Sequence, residues 1–194
     1  MNWNLPNILT WLRICAVPLL VLLFLVAGHH PAGWADPAAG LLFIAAAVTD
    51  SLDGYLARRL RQITRLGAFL DPVADKLIVA VALVLIVSRD PRWIIVLSTV
   101  VIIGREIAIS ALREWMAEAG QRAAVAVSRL GKYKTILQMT GLSLMLYRHP
   151  LFDLPTYRIG EWLTVLAAAL TLISMFIYLR AAWPYLAAGA GDSG

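Results

Sequence analysis

The sequence predicts an all-α polytopic membrane protein, a bundle of six transmembrane helices, and three observations predict it. Of the 194 residues, 60% are hydrophobic and 15% charged; a soluble domain carries about 25% charged residues. Mean hydropathy is +0.75. Several apolar runs approach the roughly 20 residues that one helical bilayer crossing needs. A single domain over residues 1–188 accounts for the length, with a flexible tail at 189–194. The formal net charge is +5, but the basic residues flank apolar segments, which reads as topology and anionic lipid. No basic-aromatic motif for nucleic acid is present. The single cysteine, Cys15, cannot form an intrachain disulfide and is expected to pack.

The first span is expected over residues 8–27, with Trp3 and Trp11 at headgroup depth. A basic residue before an apolar run also raises a signal peptide, but the run is long for one. His29 and His30 follow in a loop where nothing completes a metal site. The second span is expected over 38–60 and the third over 66–87, joined by a basic connector. Pro72 is placed in the first turn of the third span, where a missing N–H costs least. Arg89 to Arg92 form a turn on the far side. The fourth span is expected over 93–116. In it Glu106, Ser110 and Arg113 recur at i, i+4, i+7 as an inward polar stripe, or else as an internal salt-bridge seam. The fifth span is expected over 129–147 and the sixth over 161–184. Six spans put both termini on one side. The basic connectors make that side cytoplasmic, together with the chemistry-bearing ends of spans two and three.

Those ends carry four carboxylates. Asp50 and Asp53 share a helix face at i, i+3, and Asp71 and Asp75 at i, i+4. Any one of them could be a solvated cap. Four at helix spacing, bordering apolar runs, form a cluster that repels itself unless a cation sits inside it. Hard oxygen ligands from two helices suit Mg²⁺ or Mn²⁺. Counted from Pro37 at about 1.5 Å per residue, Asp50 lies about 20 Å along its helix, below headgroup level but short of the midplane.

Gly54 and Ala57 stand one turn beyond Asp50 and Asp53 on the same face. Small residues there leave room for a flat ring or a phosphate, or for close helix packing. Arg58 is placed to pair with a phosphate, and Gly67 permits close approach at the entry to the third span.

Residues Asp50, Asp53, Gly54, Ala57, Arg58, Gly67, Asp71 and Asp75 together match the pattern D-x2-D-G-x2-A-R-x8-G-x3-D-x3-D without departure. The chain thereby resembles the CDP-alcohol phosphatidyltransferase family. The stretches around Gly104–Glu106, Leu112–Glu114 and Val127–Thr135, and the opening Pro6–Thr10 with Arg13 and Pro18, are similar to its glycerol-phosphate-using branch. The resemblance implies that Asp50, Asp53 and Asp71 ligate metal, with two ions bound. It implies that Asp75 contacts metal and takes the proton from the attacking hydroxyl, and that the Gly54–Ala57 face receives the cytidine nucleotide. It also implies CDP-diacylglycerol as donor and a homodimer in a bacterial inner membrane.

The acceptor phosphate needs two or three cations near that centre. Arg105, Arg113, Lys132 and Lys134 are the candidates, with Arg180 as an outsider; each alone could instead set topology. The expected reaction moves a phosphatidyl group to sn-glycerol 3-phosphate and releases CMP. It does so by direct displacement, because no Ser/His or Cys/His nucleophile pair is visible. A sister enzyme using inositol phosphate, serine, choline or phosphatidylglycerol shares the eight-residue signature. A divalent-cation transporter is the rival from another class, and it would need midplane carboxylates and repeated, interrupted helices.

Overall fold

The computed structural model describes the backbone of residues 5–28, 33–60, 65–118 and 129–189, and the side chains of 9–28, 33–49, 70–118 and 133–183. The described residues form six helices: α1 Leu5–Ala27, α2 Ala35–Leu60, α3 Arg65–Arg89, α4 Trp93–Glu118, α5 Arg129–Tyr147 and α6 Thr156–Gly189. The expected spans match them to within a few residues at most ends.

The helices pack as a ring in the order α1, α2, α5, α6, α4, α3 and back to α1, and α3 also meets α5 across the interior. Leu20, Phe43, Ile78, Leu83, Ile102 and Leu142 are buried in the middle of that ring. A smaller cluster of Ile109, Met116, Tyr178 and Ala182 joins α4 to α6.

The surface is the apolar part. Leu12, Leu22, Leu25, Leu97, Val100, Ile107, Leu166 and Phe176 face outward, while Thr10, Arg13, Asp36, Arg105, Lys134, Gln138, Thr171 and Ser174 are buried. This inversion suits a lipid surround, where polar groups must find partners inside. Three helices are long and apolar enough to cross a bilayer, over Leu9–Ala27, Trp93–Glu118 and Thr156–Trp183. The protein is an integral membrane protein.

Close helix approach rests on glycine. A methyl at Gly40 of α2 would lie 2.7 Å from the Tyr147 backbone of α5. Gly141 of α5 and Gly160 of α6 face each other. A methyl at Gly141 would lie 2.9 Å from the Gly160 carbonyl, and one at Gly160 would lie 2.6 Å from the Gly141 carbonyl. Backbones in lipid approach this closely only through small residues.

Two polar clusters close the end of the bundle that carries the α3–α4 turn. Arg89, in the last turn of α3, donates to Asp36 Oδ1 at 2.5 Å and to the Phe24 carbonyl at 2.7 Å. Its guanidinium lies 3.6 Å from the centre of the Phe24 ring. This arrangement ties the end of α1 to the start of α2, where Asp36 also meets the helix dipole. In the turn, Arg92 grips Asp90 and reaches Glu161 of α6 with two nitrogens at 3.0 and 2.8 Å. Tyr157 donates to Asp90 Oδ2 at 2.7 Å. The hydrogen bonds from Arg92, joined by that from Tyr157, hold the Asp90 carboxyl down at about 2 against the opposing effect of burial.

Two expectations need correction, and a third is extended. Pro72 lies in the interior of α3, seven residues after its start at Arg65, and the expected start at 66 already put it beyond the first turn. The Ala68 carbonyl therefore has no N–H from Pro72, in the turn that carries Asp71. Cys15 is exposed on the outer face of α1, on the side of Leu12 and Leu19, and does not pack inside. On α4 the most deeply buried charge is Arg105, at 8% exposure, whereas the Glu106 side chain is 40% exposed. Arg105 thus joins the expected inward stripe, on which Glu106 lines a cavity and Arg113 meets Tyr178 of α6.

Candidate active site

Asp71 and Asp75 stand one turn apart in the first half of α3. Asp71 accepts a hydrogen bond from Thr10 of α1 at 2.5 Å, and Asp75 forms an ion pair with Arg13 of α1. Both α1 residues are almost fully buried. Asp75 and Arg13 form part of the wall of a cavity of about 310 Å³ enclosed by α3, α4 and α5 with single residues of α1 and α2.

The cavity has a polar end and an apolar end, set by helix direction. Chain polarity alternates, so the N-terminal halves of α3 and α5 lie level with the C-terminal half of α4. Asp75, Lys76, Glu106, Lys134 and Thr135 line that level. Moving inward, α3 supplies Val79 and Ala80, α4 supplies Ile103 and Ile102, and α5 supplies Gln138 and Met139. One chamber thus joins charged groups to an apolar recess.

The basic residues of the second half converge beside it. Glu106 Oε2 accepts from Arg105 Nη1 at 3.2 Å and lies 3.6 Å from Lys134 Nζ. Arg105 also donates to Ser174 of α6 at 3.2 Å, and Arg113 donates to the Tyr178 hydroxyl at 3.2 Å. Both guanidiniums lie over the Tyr178 ring, 5.7 and 5.2 Å from its centre. The Nε of each is buried and has no hydrogen-bond partner among the described residues. Such donors are costly to leave unmade and are suited to an anion.

Of the residues singled out from sequence, the structure brings Asp75, Glu106 and Lys134 to one cavity. Arg105 and Arg113 stand beside it, and Asp71 is one turn from Asp75. Arg180 is exposed on α6 and does not line the cavity. Asp50, Asp53, Gly54, Ala57 and Arg58 belong to α2, Gly67 to α3 and Lys132 to α5; their side chains lie outside the described residues. Thr10, Gln138, Ser174 and Tyr178 were not singled out as site residues. Arg13 carried a signal that could have marked it, a charge inside an apolar run.

Asp71 and Asp75, one turn apart on α3, are hard oxygen donors of the kind a divalent cation takes, although no group of three such ligands stands together among the described residues. Asp50 and Asp53 of α2 are the further oxygen donors that the sequence supplies.

The fold is that of an integral membrane protein with carboxylates and buried cations around one cavity, and the comparisons give its family. The chain belongs to the CDP-alcohol phosphatidyltransferase family, whose model matches residues 3–174. Enzymes of this family are generally dependent on divalent metal. The chain is 49% identical over 182 residues to proteins of Escherichia coli (strain K12), Shigella flexneri serotype 5b and Shigella boydii serotype 4. These relatives are named CDP-diacylglycerol–glycerol-3-phosphate 3-phosphatidyltransferase, and the match covers 94% of this chain and 96% of each of theirs.

Proposed function

We propose that the protein transfers a phosphatidyl group from CDP-diacylglycerol to sn-glycerol 3-phosphate, giving phosphatidylglycerophosphate and CMP in phospholipid biosynthesis. The observation that carries this reading is the single cavity in which Asp75 on α3 shares a wall with Glu106 and Lys134, flanked by Arg105. A carboxylate centre and an anion-binding centre on one chamber suit a reaction that joins a phosphorylated alcohol to a lipid pyrophosphate.

In this mechanism Lys134 and Arg105, with Arg113 and Lys132, hold the acceptor phosphate by charge-assisted hydrogen bonds. Glu106 keeps Lys134 and Arg105 in register. Asp75 takes the proton of the attacking hydroxyl. The hydroxyl oxygen bonds to the diacylglycerol-linked phosphorus as the bond to the CMP oxygen breaks, in one displacement without a covalent enzyme intermediate. Gly54 and Ala57 leave room for the cytidine nucleotide, Arg58 pairs with its phosphate, and Gly67 allows close approach where α3 begins. The recess lined by Val79, Ile102 and Met139 accepts the first acyl carbons from the bilayer side.

Asp50, Asp53, Asp71 and Asp75 would hold Mg²⁺ or Mn²⁺, two ions in all. When bound, these neutralise the pyrophosphate and polarise its phosphorus. All six helices cross a bacterial inner membrane in this reading, with both termini and the carboxylates on the cytoplasmic side. One domain spans residues 1–188, the tail is flexible, and the protein is a homodimer. Cation transport gains no support, because the described helices run without interruption.

The test is an acceptor panel. Protein reconstituted with CDP-diacylglycerol and Mn²⁺ is offered glycerol 3-phosphate, inositol phosphate, serine, choline or phosphatidylglycerol, and the lipid product is weighed by mass spectrometry. Phosphatidylglycerophosphate as the main product supports the reading; another product would keep the reaction class and overturn the acceptor.

A further inference from the structure

The α1 helix sends two polar side chains inward, and both end on the carboxylate pair of α3. Thr10 and Arg13 are three apart and share a face of α1; Asp71 and Asp75 are four apart and share a face of α3. Thr10 Oγ1 donates to Asp71 Oδ1, and Arg13 Nη1 donates to Asp75 Oδ1. Their neighbours Trp11, Leu12 and Cys15 are exposed, whereas Thr10 and Arg13 are 2% and 1% exposed.

We propose that Thr10 and Arg13 are positioning residues, each fixing one carboxylate of the reaction centre by anchoring its Oδ1 atom. The inference rests on the reading of Asp71 and Asp75 as metal-binding and reacting groups. Packing alone does not account for the two contacts. Ala16, Val17 and Leu20 of α1 already share an apolar core with Ile78, Ala82 and Leu83 of α3. The Arg13–Asp75 ion pair also adds little net stability, because the Asp75 side chain is 41% exposed. What the contacts do supply is orientation. A carboxylate on a single helix turns about two side-chain bonds, and a donor from a second helix restricts that rotation.

Arg13 has a second reason to be rigid, because its side chain forms part of the cavity wall. Its planar fork holds a fixed direction where a lysine offers a rotating point charge. Partners of this kind around ligating side chains are generally worth about 10- to 100-fold in metal affinity or activity.

The experiment compares wild type with Thr10→Val, Thr10→Ser, Arg13→Lys and Asp71→Asn in detergent. Mn²⁺ affinity is read by electron paramagnetic resonance with CDP-diacylglycerol present and no acceptor. Turnover and melting temperature are read in parallel. Thr10→Val keeps the side-chain volume, and is expected to weaken Mn²⁺ binding and lower kcat by about tenfold or more. KM for glycerol 3-phosphate and the melting temperature should stay close to wild type. Thr10→Ser, which restores the hydroxyl, should recover most of both losses. Arg13→Lys keeps the charge and tests the second contact if Thr10→Val does not fold; it should show the same tenfold weakening. Wild-type Mn²⁺ affinity and kcat in folded Thr10→Val or Arg13→Lys overturns the proposal. Asp71→Asn separates the two layers. If it also binds Mn²⁺ like wild type, the metal-ligand reading itself fails.

Discussion

Glu106 of α4 and Lys134 of α5 form an ion pair of 3.6 Å, and the same Glu106 oxygen receives Arg105 at 3.2 Å. One carboxylate therefore holds two buried cations together at the cavity, where without it they would repel. Lys134→Met removes one charge-assisted contact to the acceptor phosphate, worth about 1.5–3 kcal/mol. The expected result is a KM for glycerol 3-phosphate raised about 10- to 100-fold. The KM for CDP-diacylglycerol should change by less than about threefold. Initial rates over a grid of both substrates check this.

The glycine contact between α5 and α6 makes a stability prediction. Gly160→Ala places a methyl against the Gly141 carbonyl and the Met145 side chain, at 2.6 and 2.9 Å. Overpacking of this kind costs about 1–3 kcal/mol, which at about 2–4 °C per kcal/mol lowers the melting temperature by several degrees. Gly104→Ala, where a methyl would meet nothing within 4 Å, should leave it unchanged. Thermal unfolding of both variants in one detergent gives the comparison.

The Arg89–Asp36 pair is buried on both sides, at 8% and 1% exposure. Breaking such a pair from one side costs about 3–5 kcal/mol. Asp36→Leu should thus destabilise strongly, and the double change with Arg89→Met should recover most of the loss. Melting temperatures of the single and double variants test this.

Asp90 gives a pH dependence with a definite sign. Its carboxyl titrates at about 2 in the folded protein against 3.8 when unperturbed, chiefly through its hydrogen bonds from Arg92. A depressed folded value contributes stability that is complete above the unfolded value and is lost as pH falls toward the folded one. The gap in melting temperature between wild type and Asp90→Asn should therefore be constant above about pH 4 and close as pH falls toward about 2.

The helices were legible as apolar runs bounded by charges, glycine or proline, and α1, α4 and α6 contain runs long and apolar enough to cross a bilayer. The start of α6 at Thr156, five residues before the expected start at 161, was hidden in a loop-like stretch with two prolines. The four-aspartate spacing was legible because i, i+3 and i, i+4 are helix periods. The α1 contacts were not, since Thr10 and Asp71 are 61 residues apart and Arg13 and Asp75 are 62 apart. No local period encodes a contact of that span. The α4 stripe of Glu106, Ser110 and Arg113 was legible from its helical spacing, whereas Arg105 was outside it. Arg105 is drawn inward by Ser174 and Tyr178 of α6, partners that a one-helix pattern does not contain.

In the proposed reaction Asp75 receives the proton of the attacking hydroxyl. The most direct measurement is single-turnover CMP release by wild type and Asp75→Asn, at saturating CDP-diacylglycerol, glycerol 3-phosphate and Mn²⁺. Loss of a positioned base costs about 10²–10⁴-fold. A fall in that range is expected, with release by wild type stopped by a chelator and dependent on the acceptor. Release by Asp75→Asn within a few-fold of wild type would contradict it.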